Sequence, residues 1–227
     1  MNSYHAIVWQ RRFMAFATLL AWIGVVMFIV ALATTSWATI DFVNTDYHPV
    51  RVDLGVWGEW RTVNNFKKKI VEWIPHFPSP PTNILRLADT DLNHYYRGQA
   101  AMGIIATFLL ICTNILALYT FNHHRYMYKR VVGCLYIVVA MAIFATIEIL
   151  STSVDEWNTQ VASASEKGDF DYEAGKRMGY STRIAQGVIA ICIFGALCFF
   201  LGSHKQKGEH AATAELEIED REYHMGR

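Results

Sequence analysis

Four stretches of about twenty apolar residues, each nearly free of charge, limit what this chain can fold into more than any other feature. An α-helix rises about 1.5 Å per residue, so roughly 20 residues cross the ~30 Å hydrocarbon layer of a bilayer. The stretches are 13–33, 100–120, 131–151 and 184–202. Backbone groups left unpaired in hydrocarbon are costly, so each stretch is predicted to be a helix and the four to form a transmembrane bundle. A hydrophobic content of 53% agrees with this class. Arg11 and Arg12 precede the first stretch and Ala31-Leu32-Ala33 resembles a cleavage site, but its apolar run exceeds the roughly 7–15 residues of a signal sequence, which reads it as a retained span.

The distribution of Lys and Arg sets the orientation. The loop at 121–130 carries Arg125, Lys129 and Arg130 and no acid; Arg11 and Arg12 flank the first span, and Lys205 and Lys207 follow the last. These segments are expected in the cytoplasm: 1–12 as the N-terminus, 121–130 as the inner loop and 203–227 as a polar, disordered tail. Residues 34–99 and 152–183 are then the outer loops. Zero net charge over the chain conceals a basic inner collar, which suits anionic lipid headgroups and gives no support to nucleic-acid binding.

The outer segment 34–99 is too long for a bare connector. Val50, Val52, Leu54 and Val56 alternate with Arg51, Asp53, Gly55 and Trp57, the two-residue period of a half-buried strand. A shorter alternation, Thr39 to Val43, precedes it, and Asn44-Thr45-Asp46 can turn between them. A small extracellular antiparallel β-sheet is therefore expected on top of the helices. In Gly55-Val56-Trp57-Gly58-Glu59-Trp60 the glycines permit a tight turn or bulge, and the tryptophans would cover the sheet, Trp60 having the alternative of a place at the lipid surface. Lys67-Lys68-Lys69 reads as a solvated loop, with the charge selector of a paracellular pore or a docking patch for an acidic partner ectodomain as alternatives. Four of the five prolines lie at 75–81, where a surface loop is expected. Asp89 or Thr90 can cap a short helix through Arg97 into the second span, placing Tyr95 and Tyr96 as interfacial anchors.

Signatures of catalysis are scarce. The chain lacks a Gly-rich phosphate loop, His-Glu-x-x-His and Gly-x-Ser-x-Gly, so no enzyme activity, cofactor or metal is expected. Asp89, Asp91 and His94 come nearest to a metal pattern and are explained by helix capping, while His123-His124 lies among cations and suits lipid contact. Glu148 is the one charge inside a span, near its outer end. It reads as half of an ion pair with Arg97 or Arg183, or as an ion-pathway ligand. Cys134 and Cys198 lie near the inner ends of their spans, where palmitoylation and simple burial are both open.

Four spans, inner termini, Trp37 just past the first span, Gly55-Val56-Trp57 eighteen residues on, and Arg97 at the mouth of the second span together resemble the claudin superfamily. That group includes epithelial membrane proteins, peripheral myelin protein, calcium-channel gamma subunits and the divergent invertebrate claudin-like or Clc-like tetraspan proteins, a branch this chain resembles more than it does the vertebrate junctional claudins. In the family a cysteine follows three residues after the Gly-Leu-Trp, and one about ten residues further on pairs with it. Here Trp60 takes the first position and residues 34–99 hold no cysteine, so the resemblance implies packing by Trp57 and Trp60 in place of the covalent clip. The resemblance further implies either a role at cell–cell contacts or barriers, through self-association in cis or in trans, or an auxiliary role beside an ion channel or receptor. The implied location is the plasma membrane, including cell junctions, although the chain ends in Gly226-Arg227 without the hydrophobic residue that junctional claudins offer to scaffolds.

Overall fold

The computed structural model describes residues 2–43, 48–65, 68–77, 92–122, 126–166 and 175–203. Four helices, α1 (Asn2–Ala33), α2 (Asn93–Asn122), α3 (Tyr126–Glu166) and α4 (Tyr180–Gly202), contain the four apolar stretches. Each holds a segment long and apolar enough to cross a membrane: Trp9–Ala33, Asn93–Phe121, Met127–Glu156 and Tyr180–Gly202.

The helices are apolar on every side, which is the mark of a span rather than of a soluble amphipathic helix. On α1, Met14, Ala17, Ala21, Val25, Phe28 and Leu32 form a buried stripe with three- and four-residue spacing, while Phe13, Phe16, Leu19, Ile23 and Val26 point away from the bundle. Small residues let the backbones approach. Gly24 packs on Val188 and Ile191 of α4, and Gly195 of α4 receives the ring of Tyr136. Inside the bundle the Tyr136 hydroxyl donates to Asn114 Oδ1 at 2.8 Å, so neither polar oxygen is left bare in hydrocarbon.

On one end of the bundle stands an antiparallel sheet in the order β4-β3-β2-β1-β5, formed by β1 (Ala38–Val43), β2 (Pro49–Leu54), β3 (Gly58–Asn65), β4 (Lys68–Pro75) and β5 (Gly175–Met178). Alternation decides its faces. Ile40, Phe42, Val50, Val52 and Leu54 are buried and continuous with the helix core, and the residues between them face outward. The expected two-strand unit is real, with Ile40 opposite Val52, but it is the middle of a larger sheet. Lys68 and Lys69, expected in a loop, open the edge strand β4 opposite Asn65 and Asn64. On the sheet side α3 runs ten residues past its apolar segment, and Asp155, at the end of that segment, pairs with Lys176 of β5.

Several expectations fall outside the described residues. They are the turn at 44–46, Lys67, the prolines at 78–81, the cap at Asp89 or Thr90, the Asp89 and Asp91 pattern, His123-His124 and the tail beyond 203.

Candidate functional site

The join between sheet and bundle gathers most of the residues that the sequence marks. Trp37, just after α1, is fully buried. Its indole Nε1 donates to Ala31 O at 2.7 Å, satisfying a carbonyl at the end of α1. Its own backbone is saturated: the N–H donates to Leu54 O at 2.9 Å, and the carbonyl accepts from Gly179 N at 2.8 Å and from Thr182 Oγ1 at 2.7 Å. One residue thus ties together α1, β2 and the start of α4. Thr34 and Ser181 add a hydroxyl pair at 2.6 Å between residues 147 apart in sequence.

The Gly55 to Trp60 stretch closes the β2–β3 hairpin, with Gly55 N donating to Gly58 O at 2.9 Å. Glycine is required at both ends by close approach. A Cβ on Gly55 would lie 2.8 Å from Thr35 Cα, and one on Gly58 would overlap the Trp73 ring and come 2.8 Å from Ile74 O. Val56 between them is fully buried.

The tryptophans of this stretch are placed otherwise than expected. Trp57 is 42% exposed and Trp60 41% exposed. The Trp57 ring meets the Phe77 ring edge-on, with centroids 6.4 Å apart. Trp60 points to the outer face of the sheet, directly opposite Trp73 on β4, with ring centroids 5.0 Å apart. Where the resemblance implies a cysteine there is therefore half of a cross-strand tryptophan pair. Its partner Trp73 escaped sequence reading because the strand holding it, Lys-Lys-Ile-Val-Glu-Trp-Ile-Pro, keeps no clean alternation.

Beneath this pair, on the inner face, lies a polar cluster that sequence patterning missed. Glu59 and Arg61 of β3 are both buried, with Arg61 Nη2 donating to Glu59 Oε1 at 3.2 Å. His76, after β4, is 4% exposed and stacks face to face on Tyr96 of α2 with centroids 3.7 Å apart. Tyr96 is accordingly buried rather than interfacial, and Tyr95 hydrogen-bonds Glu156 of α3. The outer face carries Arg51 between Asp41 at 3.7 Å and Asp53 at 3.6 Å, beside a shallow depression lined by Thr62, Asn64 and Lys69. Exposed pairs of this kind contribute at most about 1 kcal/mol each.

The remaining marked residues scatter. Arg97, Arg183 and Glu148 are all exposed, and among the described residues Glu148 has no ion pair within 4.0 Å, so the expected bridge to either arginine is not made. Cys134 is exposed on the flank of α3, Cys198 is buried in α4, and all four thiols are free. Among the described residues no three His, Cys, Asp or Glu side chains converge as metal ligands would.

A bundle of four apolar helices, each long enough to cross a bilayer, carrying a β-sheet at one end, defines a multi-pass membrane protein with a folded domain at one end of its bundle. The profile of the PMP-22/EMP/MP20/Claudin tight junction family matches residues 22–201, from the middle of α1 to the end of α4. The chain belongs to that family, which is a non-enzymatic membrane family. No individual curated protein matches it.

Proposed function

We propose that this protein organises cell–cell contacts or a membrane barrier through its outer loops, pairing residues 34–99 with copies of the chain in the same or an opposing membrane. The observation that carries this reading is the free side of the sheet. β4 lies at one edge, and Ile70, Val71 and Trp73 are exposed there beside Trp60. Apolar side chains along an edge strand make a template for pairing with another chain. The plasma membrane is the proposed location, with both termini cytoplasmic and the sheet outside, because the basic residues Arg11, Arg12, Lys129 and Arg130 belong to the opposite end of the helices. Cys134 is the thiol exposed for acylation at that end; Cys198 is buried.

A second reading rests on Glu148. A carboxylate on the outer flank of a membrane helix is costly unless it meets a cation, which favours docking beside a basic residue in a transmembrane helix of an ion channel or receptor. Crosslinking of native membranes followed by mass spectrometry separates the two. Self-crosslinks through residues 34–99 support the contact role; crosslinks from α3 to a channel or receptor subunit, without self-crosslinks, refute it.

A further inference from the structure

We infer that His76 is the proton-binding element of a clasp holding the outer sheet on the membrane bundle, so that the grip of the sheet on α2 depends on pH.

The argument starts from the tautomer. His76 Nδ1 lies 3.3 Å from the carbonyl oxygen of Val56. A carbonyl only accepts, so Nδ1 carries a hydrogen and donates it. In neutral imidazole the other nitrogen, Nε2, is then a bare lone pair. That nitrogen is buried, makes no hydrogen bond, and faces Glu59 Oε2 at 3.9 Å. A lone pair against a carboxylate repels it. A second proton on the ring turns the same geometry into an ion pair.

The cluster is arranged to receive that proton. The two carboxylate oxygens of Glu59 face different groups, Oε1 the guanidinium of Arg61 and Oε2 the ring of His76. The titratable and charged groups placed against His76 by the described residues are Glu59 and Arg61 from β3 and Tyr96 from α2. Burial and the Arg61 cation work against the proton. The Glu59 carboxylate, the Val56 carbonyl and the face of the Tyr96 ring, which attracts cations, work for it. Histidine is the side chain whose ordinary charge change falls between about pH 5 and 8, which makes it the group of this cluster suited to a pH-dependent contact.

The location makes the proton consequential. His76 N also donates to Trp57 O at 2.9 Å, so this residue binds the Gly55 to Trp60 hairpin by its backbone and α2 by its ring. With no cysteine in residues 34–99, the hold on this part of the sheet answers to protons and not to reductants. The sign follows directly. The clasp is complete when the ring is doubly protonated, so the hold is firm at acid pH and weakens as pH rises through the imidazole titration.

Hydrogen–deuterium exchange on the full chain in lipid nanodiscs, at pH 5.5 and 7.5 and corrected for intrinsic rates, tests this. Amides of 58–61, 73, 74, 76 and 93–99 are expected to exchange roughly tenfold more slowly at pH 5.5, the scale of a modest buried ion-pair contact. His76→Gln is expected to abolish that difference. Equal protection at both pH values, greater protection at pH 7.5, or a difference that survives in a folded His76→Gln variant overturns the inference. If that variant does not fold, exchange at the imidazole C2–H of wild-type His76 replaces it: titration in step with the amide protection supports the clasp, and titration out of step refutes it.

Discussion

Replacing Trp37 gives a graded test of what joins the two halves of the molecule. Its ring has no exposed surface, and its Nε1–H satisfies Ala31 O. Truncating a buried tryptophan to alanine costs about 3–5 kcal/mol through lost transfer energy and the cavity left behind. Trp37 follows the end of α1 and belongs to the buried core that the bundle shares with the sheet, and the water reference is used for it. In a chain of this size each kcal/mol moves the melting temperature by about 2–4 °C, so Trp37→Ala is expected to lower it by about 6–20 °C. Trp37→Phe loses part of the ring volume and one of the two donors to Ala31 O, Thr34 Oγ1 at 2.9 Å remaining, for about 1–3 kcal/mol. Trp57→Ala removes a half-exposed ring with one edge contact, and about 1 kcal/mol is expected. Melting in detergent, followed by light scattering and paired with surface expression in cells, reads all three. The order Trp37→Ala, Trp37→Phe, Trp57→Ala is the content of the prediction. If Trp57→Ala melts as low as Trp37→Ala, the assignment of the join to Trp37 is wrong and the sheet is locked by its hairpin instead.

The Trp60 and Trp73 pair predicts a coupling of about 0.5–1.5 kcal/mol in a double-mutant cycle with alanine, and no change in melting on adding reductant; additivity within ~0.3 kcal/mol would reduce the pair to two independent surface residues. Glu148→Gln is expected to leave stability near wild type, since Glu148 makes no ion pair among the described residues, and a coupling above ~0.5 kcal/mol to Arg97→Gln or Arg183→Gln would restore the intramolecular bridge. Permeability measured beside melting then decides whether Glu148 serves ions, because an ion pathway requires Glu148→Gln to change cation selectivity. For topology, a tag after Arg227 should resist protease added to intact cells and one inserted at Ser79 should be cleaved; loss of the C-terminal tag would invert the orientation. Tyr136→Phe is expected to cost about 0.6 kcal/mol, and at most about 1.7, through its lost hydrogen bond to Asn114, with thermal melting as the readout.

The sequence by itself determined everything that a local pattern can carry. The four spans follow from unbroken apolar length, and the pairing of β1 with β2 follows from the alternation of Val50, Val52 and Leu54, because bilayer thickness and strand pleat impose those periods on neighbouring residues. Trp37, Gly55 and Trp57 were legible as a spaced set, though not which tryptophan is buried. Only the tertiary structure decided the rest. β3 carries Glu59 and Arg61 on its inner face and so breaks the apolar rhythm of a half-buried strand, while β5 has four residues and becomes a strand by pairing with β1 across more than 130 positions. Trp37 and Trp57 are the same residue type in similar local settings. What separates them is contact with Gly179 and Thr182, over 140 residues away, and no window of neighbouring residues contains that information. The clasp of Glu59, Arg61, His76 and Tyr96 was hidden for the same reason: a buried polar group is tolerated only where distant partners satisfy it, so its presence is a property of the assembled fold.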